Sequence, residues 1–334
     1  MSAGPVELLA FTDKGYELAK NLAAGLNGRA ARCGSPLSLS HWTQEAFSHA
    51  GALVYVGAAG IAVRAIAPYI QSKAKDPAVV VVDEDANWAV PVLSGHLGGA
   101  NDLARRISAL CGAAAVITTA TDVNGVFAVD EWAKRQNCTI LNPEKIKTVS
   151  AAVLAGQTVG VYSDFPIEEK APAGVRLCDS KACDLRLSLR SRGRDVLQLV
   201  PRIAVLGVGC RKGISAAALE DALTRLLAKA GVCPQAITMA ASIDLKKEEP
   251  GLLEFCAAHG WPLRTYSAKQ LAAVQGNFTS SAFVQKITGV DNVCERSAVL
   301  GAGGDLYSKK NAGNGVTMAL ALQPYAPDWR WQDE

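Results

Sequence analysis

The chain has 334 residues, enough for two or three domains. Hydrophobic residues make up 49% and charged residues 19%, enough apolar material to build cores and to exclude global disorder. With 34 Lys and Arg against 31 Asp and Glu, a net charge of +3 and only 6% aromatics, nucleic acid and anionic membranes are disfavoured as partners. No stretch approaches the ~18 uninterrupted apolar residues of a membrane span. Met1–Gly15 has neither a basic start nor a cleavable apolar core, so a cytoplasmic protein is expected. The nine cysteines lack paired C-x-x-C spacing and read as free thiols in packed positions. No histidine lies near Cys178 and Cys183, so no metal site is assigned.

In chain order, Val6–Phe11 reads as a strand and Lys14–Leu26 as an amphipathic helix. Ala52–Val56 is a strand closed by Gly57 and Gly60, followed by a helix carrying Ile61, Val63, Arg64, Ile66 and Ile70. Val79–Asp83 and Trp88–Leu93 read as strands, 100–111 as a helix, Ala114–Thr118 as a strand and Val126–Arg135 as a helix. Short apolar strands between helices imply βαβ units and a mostly parallel sheet. The fold class expected is therefore α/β, with two α/β domains, 1–135 and 201–326, joined by a small middle region and linker, 136–200.

In that middle region Lys145–Leu154 reads as helical and Gln157–Tyr162 as a strand. The alternation of Leu185–Arg190 suggests a half-exposed strand. Its arginines, Arg186, Arg190, Arg192 and Arg194, read as a solvated face. Beyond Pro201 the pattern predicts strands at Ile203–Val208, Ala236–Ile243, Leu263–Tyr266 and Gly315–Leu322. Helices are expected at Ser215–Ala230, at Glu248–His259 and from near Val293.

Three groups of residues could carry chemistry. The first is the turn Ser94-Gly95-His96-Leu97-Gly98-Gly99 that precedes Asn101 and the helix start. Backbone N–H groups there can hold an anion, and a histidine can move protons near neutral pH, although a tight turn alone would also use these glycines. The polar loop holding Asp122 belongs with it. Parallel strands would open both loops, and the Gly57–Gly60 loop, at one sheet edge.

The second group is Gly207-Val-Gly209-Cys-Arg211-Lys212-Gly213, with Ser215 as N-cap and an Ile214–Leu219 staple. Two cations beside the positive end of a helix call for an anion opposite, either a ligand or a nearby Asp or Glu. The G-x-G-x-x-x-G spacing, with Asp244 ending the next strand, keeps a dinucleotide site open as an alternative. The third group is Glu295, as an N3 acid after Asn292 or as a general base, followed by a loop with Gly301, Gly303 and Gly304 and by Lys309, Lys310 and Asn311. Cations on loops of one domain suit a polycarboxylate.

Taken together, VGAAGIAVR (56–64), PVLSGHLGGAND (91–102), ITTATD (117–122), GVGCRKG (207–213), CERSAVLGA (294–302) and SKKNAGNGV (308–316) resemble the cobalt-precorrin-5A hydrolase family of anaerobic cobalamin biosynthesis. The resemblance implies a cobalt-bearing tetrapyrrole substrate whose δ-lactone is opened with loss of acetaldehyde to give cobalt-precorrin-5B. The cobalt would arrive with the substrate, and no separate cofactor would be needed. In this reading His96, Glu295 and Asp122 are the catalytic candidates, and His96 alternatively ligates cobalt or orients a carboxylate. N–H groups around Gly98–Gly99 or Gly209–Gly213 would hold the oxyanion. Gly57, Gly60, Arg64, Ser94, Gly95, Asn101, Arg211, Lys212, Gly303, Lys309, Lys310 and Asn311 would contact substrate. A non-catalytic tetrapyrrole carrier is the alternative from another class. Neighbouring pathway enzymes and a second copy in a homodimer are left open as further partners.

Overall fold

Alternating side chains along five-residue apolar strands explain the first sheet. In β1 (Val6–Ala10), β3 (Ala52–Val56) and β4 (Ala78–Val82), Leu8, Val54 and Val80 point to one face. Leu9, Leu53, Tyr55, Val79 and Val81 point to the other. Both faces are therefore covered by helices. α1 (Asp13–Leu26) and α4 (Ala100–Cys111) lie on the first, and α2 (Leu39–His49) and α3 (Ala59–Ile66) on the second. The computed structural model describes residues 4–72, 75–96, 98–191, 193 and 195–331. The chain divides into two units, residues 1–131 and 132–334.

In the first unit the sheet order is β2-β1-β3-β4-β5-β6, with β2 at Arg29–Arg32, β5 at Trp88–Leu93 and β6 at Ala114–Ala115. The short helix α5 (Ala120–Val123) follows, and α6 (Val129–Arg135) leads out of the unit. β2, β1, β3 and β4 are parallel, but β5 runs antiparallel to β4, with Val79 opposite Leu93 and Val82 opposite Ala89. The sheet is mostly parallel, as expected, and β5 is the strand that departs from it. Only five residues, Asp83 to Asn87, separate β4 from β5. That length closes a hairpin and cannot carry the crossover of a dozen or more residues that parallel pairing needs. Ala86 takes a left-handed conformation within the turn. The helix expected to carry Ile70 ends at Ile66, and Val63 and Ile70 are exposed.

The second unit contains two sheets. The first has the order β7-β11-β10-β8-β9. Its strands are β7 (Cys138–Ile140), β8 (Val159–Ser163), β9 (Val175–Leu177), β10 (Leu185–Leu187) and β11 (Leu197–Pro201), and α7 (Ile146–Leu154) precedes β8. β10 is central, paired with β8 and β11, and its residues are buried on both faces, where a half-exposed strand was expected. Arg186 is 8% exposed, lies 4.9 Å over the Tyr162 ring and donates to Ser180 O. The solvated-face reading fails for it, while Arg190 is exposed. Arg192 and Arg194 lie outside the described residues.

The other sheet has the order β14-β13-β12-β16-β15. Its strands are β12 (Ala204–Cys210), β13 (Ile237–Ile243), β14 (Leu263–Tyr266), β15 (Leu306–Gly313) and β16 (Val316–Leu322). α8 (Ala216–Ala230) and α9 (Pro250–His259) cover one face. α10 (Ala268–Ala273), α11 (Ala282–Thr288) and α12 (Cys294–Ala302) belong to the other side. Ser215 caps α8 by accepting from Ala218 N–H, as expected, and Ile214 and Leu219 share one core. Lys309, Lys310 and Asn311 lie on the edge strand β15, not in the loop expected for them. Among the described residues no helix is long and apolar enough to cross a membrane.

Candidate active site

The reversal at β5 decides which motifs meet. The Gly57–Gly60 loop follows β3 at one edge of the first sheet, and exposed Arg64 follows on α3. β5 and the parallel strand β6 both point the other way, so the His96 turn and the Asp122 segment open together at the opposite edge. The single edge expected for all three loops is therefore corrected to two.

At the His96 edge, the imidazole is gripped from both sides. Its Nε2 donates to Asp122 Oδ2 at 2.7 Å and its Nδ1 to Asp130 Oδ2 at 3.0 Å. The side chain is 10% exposed. Burial opposes the charged ring. Hydrogen bonding and charge from Asp130, then the bond to Asp122 and the charge of Glu131, outweigh it and push the pKa up to about 9. His96 is therefore an imidazolium at neutral pH with both nitrogens donating. Burial would raise the Asp122 pKa, but His96 and Arg105 overcome this and hold its carboxyl below its ordinary value. Arg105 Nη2 donates to Asp122 Oδ1 at 2.8 Å and Nη1 to Asp102 at 3.3 Å.

The turn itself is closed by its own backbone. Gly99 N–H bonds to His96 O, Ala100 N–H to Ser94 O and Asn101 N–H to Gly95 O. A Cβ at Gly98 would lie 2.3 Å from Ser94 Cβ, so glycine is required for this approach. Ser94 is itself left-handed and buried. Asn101 is 1% exposed and donates to Thr119 and Asp122, so it braces the site from within. Asp130 and Arg105 are site members that reading the sequence missed. The apolar residues around Asp130, namely Phe127, Ala128, Val129, Trp132 and Ala133, hint at a buried acid but not at its partner, and Asp130 is indeed buried. Replacing Asp130 by Asn should bring His96 from about 9 toward the ordinary imidazole value of about 6.5, read by NMR titration of the ring. An unmoved titration would remove Asp130 as the main cause.

In the second unit Gly207 and Gly209 lie within β12, and only Gly213 belongs to the turn before α8. A dinucleotide fingerprint needs its glycines in the strand-to-helix turn, so that alternative is not supported. Gly213 N–H donates to Glu249 Oε1 at 2.7 Å, and Lys246 pairs with the other oxygen. The anion at the helix start is thus an internal acid, while Arg211 and Lys212 remain exposed. Gly303 is the left-handed C-cap of α12. Glu295 is fully buried in this unit.

The sheet architecture and the histidine held between two aspartates define an α/β protein with a charged acid–base cluster, and similarity gives the family. Residues 41–122 match the model described as Cobalamin synthesis G N-terminal, 127–188 the Cobalamin biosynthesis central region and 204–321 the Cobalamin synthesis G C-terminus. A cobalt-precorrin-5A hydrolase of Salmonella typhimurium is 33% identical over 348 aligned positions, covering 95% of this chain and 97% of that one. One from Priestia megaterium is also 33% identical, covering 82% of this chain and 79% of its own. Protein CobE of a Sinorhizobium species is 34% identical over 35% of this chain and 78% of its own length. The chain belongs to the cobalamin synthesis G family.

Proposed function

We propose that this protein is a cobalt-precorrin-5A hydrolase that opens the δ-lactone of a cobalt-bearing macrocycle and releases acetaldehyde, giving cobalt-precorrin-5B. The observation that carries the reading is similarity along 95% of the chain to a relative of that name. Water adds to the lactone carbonyl and the acyl–oxygen bond breaks. The freed oxygen then becomes the aldehyde oxygen as the adjacent C–C bond cleaves. The electron pair of that bond stays on the conjugated ring, which takes up a proton. The cobalt belongs to the substrate.

The His96 cluster supports a role as proton donor. A ring charged at neutral pH cannot serve as the base that takes a proton from water, but it can give one to the lactone oxygen as that bond breaks. Proton donation and axial ligation of cobalt would each require one of the ring's two ion pairs to open, but a doubly protonated ring offers no nitrogen lone pair to a metal, which disfavours ligation. The N–H groups of Gly99 and Gly213, expected to help form an oxyanion hole, are already used within the chain.

The test is anaerobic mixing of purified protein with cobalt-precorrin-5A. Acetaldehyde release in proportion to substrate is expected. Tight binding without acetaldehyde would instead identify a carrier, and no binding would overturn the assignment.

A further inference from the structure

The carboxylate of Glu295 is sealed from solvent and accepts four hydrogen bonds. Thr279 donates twice, from N–H at 2.6 Å and from its hydroxyl at 2.9 Å. Asn292 Nδ2 donates at 2.8 Å and Lys310 N–H at 2.6 Å. These donors replace water, as a buried charge requires. They also come from three separate segments: the loop around Thr279, the lead-in to α12 and the edge strand β15.

The contact with β15 falls at an irregularity. Ser308 pairs with Leu320 and Asn311 with Met318, so Lys309 and Lys310 together face Ala319 alone. This is a bulge, a device that re-aims side chains and frees a ladder group. Here the Lys310 N–H is taken by Glu295. The next residue, Arg296, holds the other flank of the Thr279 loop. Its guanidinium donates to Leu271 O and Val274 O and lies 4.6 Å from the Phe278 ring centre. Two consecutive side chains of α12 thus clamp one loop, and the first of them also pins the bulge. Lys310 Nζ reaches back 3.3 Å to Thr279 O, and Lys309 is exposed beside it.

Packed apolar residues would hold such a loop at lower cost than a buried carboxylate. What the carboxylate adds is a fixed direction for two successive lysines. A macrocycle carrying peripheral carboxylates needs cations held at fixed positions. Resting on the function proposed above, we infer that Glu295 is a positioning residue that fixes the Lys309–Lys310 bulge and the Thr279 loop as a recognition edge for substrate carboxylates. It exchanges no proton with the substrate. The reading also explains why the CERSAVLGA and SKKNAGNGV stretches belong together: the second residue of one holds the backbone of the other.

The test compares Glu295→Gln, Lys310→Met and the double variant with the unmodified protein on cobalt-precorrin-5A. Glu295→Gln is expected to raise KM about tenfold or more while kcat stays within about threefold. The double variant should be little worse than Lys310→Met, because both changes act through one element. Loss of kcat at saturating substrate with KM unchanged would make Glu295 catalytic and overturn the inference. So would KM and kcat both unchanged, or fully additive effects. If Glu295→Gln does not fold, Thr279→Val and Lys310→Met are read by the same split. If the unmodified protein binds the macrocycle without turnover, the function proposed above fails alone, and the dissociation constant, followed by absorbance, replaces KM. No binding by the unmodified protein would overturn the inference as well.

Discussion

Replacing His96 by glutamine should lower acetaldehyde release by about a thousandfold, the scale of a lost general acid, while cobalt-precorrin-5A still binds. Glutamine keeps a donor near Asp122 but carries no charge and no transferable proton. The same substitution should change how stability depends on pH. The folded-state pKa of His96 is raised to about 9 from an unfolded value of 6.5. Its contribution is therefore fully present below 6.5 and is lost as pH rises through 9. After allowing for solvent screening at the open side of the cluster, the effect amounts to ~2 kcal/mol. Asp122 acts in the opposite sense: its lowered pKa contributes stability that is present above its unfolded value and is lost on acidification through the folded one. Urea unfolding near pH 6 and again above pH 9 reads the alkaline limb directly. The gap between wild type and His96→Gln should narrow by about that amount at the higher pH. A gap independent of pH would mean that the ring is not held charged, and the proton-donor role would fall with it.

Much of this architecture was legible because its signals are local. Ala52–Val56, the helix from Ala100 to Cys111 and Leu263–Tyr266 fall where the apolar periods and glycine stops put them. The His96 turn and Asp122 do come together, as their placement after neighbouring strands implied. Partners that depend on tertiary geometry were not legible. The direction of β5 turns on the length of a connection, and reading Trp88–Leu93 as another parallel strand put the Gly57 loop at the wrong edge. Arg186 shows a related failure. Its alternating context reads as one wet face, but this strand is buried on both faces, which the alternation does not reveal. Lys309 and Lys310 read as loop because polar residues and glycines dilute the strand signal on an edge, where charged side chains discourage pairing with another chain. Asp130 and the four donors to Glu295 come from other segments, and no spacing rule brings them together.

The largest expected effect on stability lies at Gly207. It reads as the first glycine of a dinucleotide-type G-x-G-x-x-x-G spacing, yet it sits mid-strand in β12 where α12 crosses. A Cβ there would lie 1.8 Å from Cys294 O and 2.8 Å from Ala298 Cβ. The first obstacle is helix backbone, which cannot rotate aside as a side chain can. To admit one methyl group, α12 must lift from the sheet, and Glu295 and Arg296 lie in its first turn. Gly207→Ala should therefore cost about 3 kcal/mol or more, above the usual range for overpacking, and Gly207→Val more still. Gly213→Ala is the control from the same motif. Nothing lies within 4 Å of a Cβ there, and its φ of 71° leaves only a conformational penalty of ~1 kcal/mol. Denaturant midpoints for the two variants should be well separated. Equal midpoints would mean that α12 yields without resistance, and the close approach of helix and strand would no longer explain the glycine.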